Sequence, residues 1–172
     1  MNKNMNKYII GLIALVGILT VFSSNLQLVN AADTQAATAT ADVVDTISVT
    51  LSGATISFGS LNSGTSNNAG GPLTITIDAI TNVATDINQS ATGDLSDGVH
   101  TNITVDNLTY YSANTVGSAV NMSTSYASPT LAAWENIPVG GGSKSAYYWL
   151  NIPAAQPAGT YTTTISIKAT KH

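Results

Sequence analysis

Few side chains in this sequence could do chemistry: two histidines, nine carboxylates and five lysines, with no arginine and no cysteine. Hydrolysis or acyl transfer needs a base of suitable pKa beside a nucleophile or a water, most often a histidine or a carboxylate pair. His172 is the last residue, where chains fray. His100, in "DGVHTN", alternates with Val99 and Thr101, the position of a solvent-facing strand residue. There is no strained serine elbow and no pair of histidines at zinc spacing. A non-enzymatic protein without a cofactor is therefore expected. Asp94 and Asp97, beside Gly98 in "GDLSDG", are candidate Ca²⁺ oxygens, but they lack the alternating acidic spacing of a calcium loop. Aspartates that bond their own turn backbone account for the same residues.

Two further groups could recognise a ligand. In "SAYYWLNIP", Tyr147 and Trp149 share one strand face while Tyr148, Leu150 and Ile152 share the other. An outward Tyr/Trp row stacks sugar rings, and a strand apolar on both faces equally describes a central strand covered by a loop or a partner. Trp134, in "LAAWENIP", reads as a core or rim plug. Four Asn-x-Ser/Thr sequons, at Asn88, Asn102, Asn107 and Asn121, are candidate glycan sites in an exported chain. In so Asn- and Ser/Thr-rich a chain, four is about the number chance supplies. An intramolecular Lys–Asn isopeptide bond needs a lysine inside the core. Lys168 alternates with apolar residues and Lys144 sits in a Gly/Ser turn, so both are expected outside it.

These residues must be positioned by strands. Residues 1–31 read as a secretory signal peptide: Lys3 and Lys7, the apolar run "IIGLIALVGILTVF", then small residues ending at Ala31. The rival reading, a membrane anchor, is disfavoured by the shortness of that run. Removing the signal leaves three lysines against nine carboxylates, an acidic product that suits neither nucleic acid nor an anionic membrane. Residues 32–42, "ADTQAATATAD", form a low-complexity Ala/Thr-rich extension. Residues 43–172 follow as one domain.

In that domain short runs rich in Thr, Ile, Val and Tyr are separated by Gly, Asn, Pro and Ser turns, with no helical period. "VDTISVTLS", "ATISFGSL", "LTITIDAI", "VHTNITV", "AVNMSTSY", "ENIPVGG", "SAYYWLNI" and a closing strand over Tyr161–Ala169 are the expected elements. The apolar parity shifts at Asp106–Asn107, marking either a two-residue hairpin or a bulge there. Strands without intervening helices predict an all-β fold, an antiparallel immunoglobulin-like β-sandwich of about eight to ten short strands.

"ISFGSLNSGTS" (56–66), ahead of a strand, resembles the F-G-x-x-x-x-G-x-S opening of archaic-pilus and spore-coat-U-type subunits. "PAGTYTTTISI" (157–167) is similar to the P-x-G-x-Y-x-D-T ending of those domains, with Thr163 where aspartate is common and without their cysteine pair. The resemblance implies a sandwich that lacks its last strand and accepts one from a neighbour's N-terminal extension, by addition to an exposed edge. Here the donor-strand candidates are Val44, Ile47, Val49 and Leu51. On the residues alone, Tyr161–Ala169 serves equally as the last strand of a complete sandwich. The expected function is that of an exported structural subunit of a cell-surface filament or coat that partners its own kind or other surface proteins. A carbohydrate-binding or adhesive module using Tyr147 and Trp149 is the alternative.

Overall fold

A computed structural model describes residues 38–126 and 131–172. The expected signal peptide and the first residues of the extension lie outside them. Residues 38–42, the described part of the unit Met1–Asp42, are exposed and carry no regular structure. Val43–His172 is a separate compact unit.

That unit is all-β, with antiparallel strands and, among the described residues, three single-turn 3₁₀ segments. The described residues form eight strands: β1 (Val49–Ser52), β2 (Asn68–Ala69), β3 (Leu73–Ile77), β4 (Thr85–Ala91), β5 (Leu108–Tyr111), β6 (Val120–Asn121), β7 (Gly142–Leu150) and β8 (Ile165–Lys171). The larger sheet runs β1-β3-β7-β5-β6, with β2 also on β7; the smaller is the β4–β8 ladder.

Alternation decides which faces turn inward. β3 buries Leu73, Ile75 and Ile77 and leaves Thr74 and Thr76 half-exposed, as its sequence period dictates. These residues, with Ala146, Tyr148 and Leu150 of β7 and Ile87 and Ala91 of β4, form one core between the two sheets. Trp134 plugs it at 1 % exposure, stacked on Tyr110 with ring centroids 5.7 Å apart. Tyr148 Oη donates to Gln89 Oε1 at 2.8 Å across the layers. Burial pushes the Tyr148 hydroxyl well above its ordinary pKa.

Several expected elements differ. "VHTNITV" is not a ladder strand with Val99, Thr101, Ile103 and Val105 facing in. Only Ile103 is buried, in a single bridge to Leu95, while Val99 is 81 % exposed. The parity shift at Asp106–Asn107 is a 3₁₀ turn over Val105–Asn107, neither a hairpin nor a bulge. "ENIPVGG" supplies one bridge, Ile137 to Thr85. "ATISFGSL" joins no ladder. The closing strand begins later than the alternation suggests, at Ile165. Ahead of it, Thr162 bridges Ser96. Lys144 is a β7 residue opposite Ile75, half-exposed rather than in a turn.

Candidate functional site

Among the described residues lies a groove of about 1000 Å³. One wall is the segment after β1, which carries Ile56, Phe58 and Leu61; the other is the approach to β8, with Tyr161 and Ile165. Its floor is core: Leu73, Leu95, Ile103 and Leu150 all line it and are at most 4 % exposed. The first wall cannot join a ladder because glycines with positive φ interrupt it, Gly53 at 73° and Gly59 at 69°. These are backbone conformations that strand residues avoid.

Beside the groove lies an unpaired strand edge. Thr85 N donates to Ile137 O and Ala91 N to Ser123 O, so the odd-numbered peptide groups of β4 point away from β8. In an antiparallel ladder the residues opposite them point away as well. Those residues are Ile165, Ile167 and Ala169, facing Ala91, Gln89 and Ile87. Among the described residues none of their backbone groups has a hydrogen-bond partner. Their side chains are half-buried and packed on the core. The edge therefore combines free donors and acceptors with an apolar inward face, the two properties a docking strand uses.

The second wall is held by a turn at its rim. Asp97 Oδ1 accepts from Val99 N at 3.0 Å and His100 N at 2.8 Å, and Oδ2 meets His100 Nδ1 at 2.6 Å. The hydrogen bond from the His100 ring, then those from the two backbone amides, hold the Asp97 carboxyl down at about 2. Gly159 crosses directly over Oδ2; a Cβ there would overlap the carboxylate. Gln156 Nε2 donates to Thr101 O at 2.5 Å, and Ser96 and Thr162 exchange amide bonds at 3.0 Å.

The structure places the other singled-out residues as follows. Asp97 is the turn former just described, and Asp94 Oδ1 accepts from Val105 N at 2.8 Å. Among the described residues no three His, Cys, Asp or Glu groups converge as metal ligands. The His100 side chain is 41 % exposed, and His172 Nδ1 meets Asp86 Oδ1 at 2.8 Å, far along the chain from it. Trp149 is 5 % exposed, so little of its ring is open to a sugar, and Tyr147 beside it is half-buried. Asn102 and Asn121 are exposed. Asn107 is tied to Thr104, and Asn88 lies within β4 with its amide oxygen buried. Val49 and Leu51 belong to the domain's own β1, opposite Ile77 and Ile75. Ile47 is half-buried, and Val44 is 77 % exposed ahead of the strand.

An exposed edge was implied by the resemblance alone, and the residue pattern could not locate it. The period of β8 was visible, but nothing local in a strand states how many neighbours it has. The chain matches no family model and no curated protein.

Proposed function

We propose that this chain is an exported, non-enzymatic structural subunit of a surface filament or coat, built as an immunoglobulin-like sandwich and assembled by strand addition between copies. The observation that carries the reading is the unpaired edge at Ile165, Ile167 and Ala169 next to an apolar groove. An open edge of this kind is a liability that isolated domains usually cover or charge; in an assembling subunit it is the acceptor. The donated strand comes from the segment ahead of β1 in a neighbouring copy. Val49 and Leu51 remain in their own sheet, where they are paired with β3, which narrows the donor to residues up to Val44. Export rests on the signal-like residues 1–31, and the acidic composition agrees with it.

The test is electron microscopy of the exported protein with and without Ile167→Pro. The Ile167 amide points out of the ladder, so proline removes a donor that β4 does not use, as edge positions tolerate. Filaments from the parent and none from a folded Ile167→Pro protein are expected. Filaments unaffected by the substitution would remove β8 as the junction, and a parent that never assembles would remove the reading altogether.

A further inference from the structure

The turn at the rim of the groove contains the chain's one Asp–Gly pair, and the sequence has no Asn–Gly pair. We propose that the Asp97–Gly98 bond is a latent site of backbone isomerisation, which the folded rim holds unreacted. The chemistry is independent of the self-assembly reading above, although the rim belongs to the groove on which that reading rests.

The reaction needs no partner but water. The Gly98 nitrogen attacks the Asp97 side-chain carboxyl carbon and a C–N bond forms. Water leaves, made from the carboxyl hydroxyl and the amide proton, and a cyclic imide remains. A second water opens that ring at either carbonyl. One opening restores aspartate; the other leaves isoaspartate, whose main chain runs through the former side-chain methylene. Nothing is oxidised or reduced, and the final mass is unchanged. Glycine favours the first step because it has no Cβ to crowd the approach of its own nitrogen. Each of the other aspartates is followed by a larger residue. The turn itself calls for this glycine, since Gly98 sits at φ 77°, where other residues are strained.

The fold withholds both reactants. Gly98 N donates to Ser96 Oγ at 3.1 Å, which ties the nitrogen back towards the residue before Asp97. The Asp97 carboxyl is drawn the other way, through Oδ1 to the amides of Val99 and His100 and through Oδ2 to the His100 ring. These bonds favour the ionised carboxylate, which lacks the hydroxyl that must leave. Gly159 lies directly over Oδ2, and the Asp97 side chain is 8 % exposed. It cannot swing back to Gly98 without lifting that segment. Cyclisation therefore waits on a local opening that parts the turn from the Gly159 segment. Isoaspartate formed in that opening does not fit back. Its carboxylate stands one methylene closer to the chain and its backbone is one methylene longer, so the seat beneath Gly159 is lost and the second wall of the groove loosens.

The experiment incubates the full exported chain at neutral pH, folded and in urea. Isoaspartate is followed by peptide mass spectrometry with fragmentation that separates the two isomers. In urea the parent should gain isoaspartate at residue 97 faster than at any other aspartate. The folded parent should gain it about tenfold more slowly or slower still, in proportion to the time the rim is open. Folded Ser96→Ala and His100→Ala each remove one tether and keep the Asp–Gly bond, so both should fall between those rates. Melting temperatures restrict the comparison to folded protein; where His100→Ala melts low, the half-exposed Ser96 provides the deciding variant. A folded parent that isomerises as fast as the unfolded chain overturns the proposal, and so does an unfolded chain that leaves residue 97 unchanged. Variants that melt like the parent and isomerise no faster overturn the lock assigned to these bonds.

Discussion

β7 and β8 are alike in sequence and opposite in circumstance. Both are long, and both are rich in β-branched or aromatic residues. β7 has β3 along its first half, β5 along its second and β2 opposite Trp149 and Leu150. Its residues Tyr148, Trp149 and Leu150 are all at most 5 % exposed. Among the described residues β8 has β4 alone, and Ile165, Ile167 and Ala169 are only half-buried. Period therefore reports that a segment is a strand, while the number of its neighbours is a property of the whole chain. The difference is energetic as well as geometric, because a strand with one free edge carries backbone groups that water or a partner must satisfy.

Hydrogen exchange should show the contrast at its largest. The amides of Trp149 and Leu150, flanked on both sides, are expected to open only with global unfolding, and those of Ile165, Ile167 and Ala169 to exchange almost unprotected in the monomer. That spread covers the full stability of the domain, typically about 5–15 kcal/mol. On assembly the three β8 amides should become protected. Protection of these amides already present in the monomer would mean that the edge is covered, and the strand-addition reading would fall.

Side-chain truncation should separate the strands by a smaller margin. Tyr148→Ala removes a fully buried aromatic and its bond to Gln89, an expected loss of about 3–5 kcal/mol. Ile167→Ala removes a half-buried aliphatic, an expected loss of about 1–2 kcal/mol because part of that surface already meets water. Urea midpoints measure both. Equal losses would show that β8 packs as tightly as β7.

The sequence made the class of fold legible, because β3 and β8 advertise it by alternation and β7 by its run of aromatic residues. It concealed β4, the strand facing both Tyr148 and β8. The buried positions of β4 include Thr85 and Gln89 as well as Ile87 and Ala91. Thr85 bonds the Val83 carbonyl and Gln89 receives Tyr148. Polar residues at buried positions, Thr85 bonded through its hydroxyl and Gln89 through its oxygen with its Nε2 left without a partner, erase the apolar period that would have announced the strand. The groove was hidden for a related reason. Ile56, Phe58 and Leu61 look like strand residues, and positive-φ glycines turn them into a wall instead. The rim was partly legible: the Asp–Gly turn could be read, and its seating beneath Gly159 is a long-range contact that no local pattern encodes.

The smallest expected effect belongs to that rim and appears only in acid. Asp97 has its folded pKa lowered from 3.8 to about 2 by the His100 ring bond and the amides of His100 and Val99. A carboxylate that ionises more readily in the folded state than in the unfolded one stabilises the fold once pH exceeds its unfolded pKa. That contribution is lost as pH falls through the folded value. The Asp97 contribution should therefore be constant above about pH 4 and fade between pH 4 and 2. Asp97→Asn keeps the shape and an acceptor oxygen but cannot ionise. The gap in melting temperature between the parent and Asp97→Asn should be steady above pH 4 and shrink below it, with the lost order localised to the turn over 97–100 and the Gly159 segment. A gap unchanged down to pH 2 would show that Asp97 acts through shape alone, and the second wall of the groove would then owe nothing to its charge.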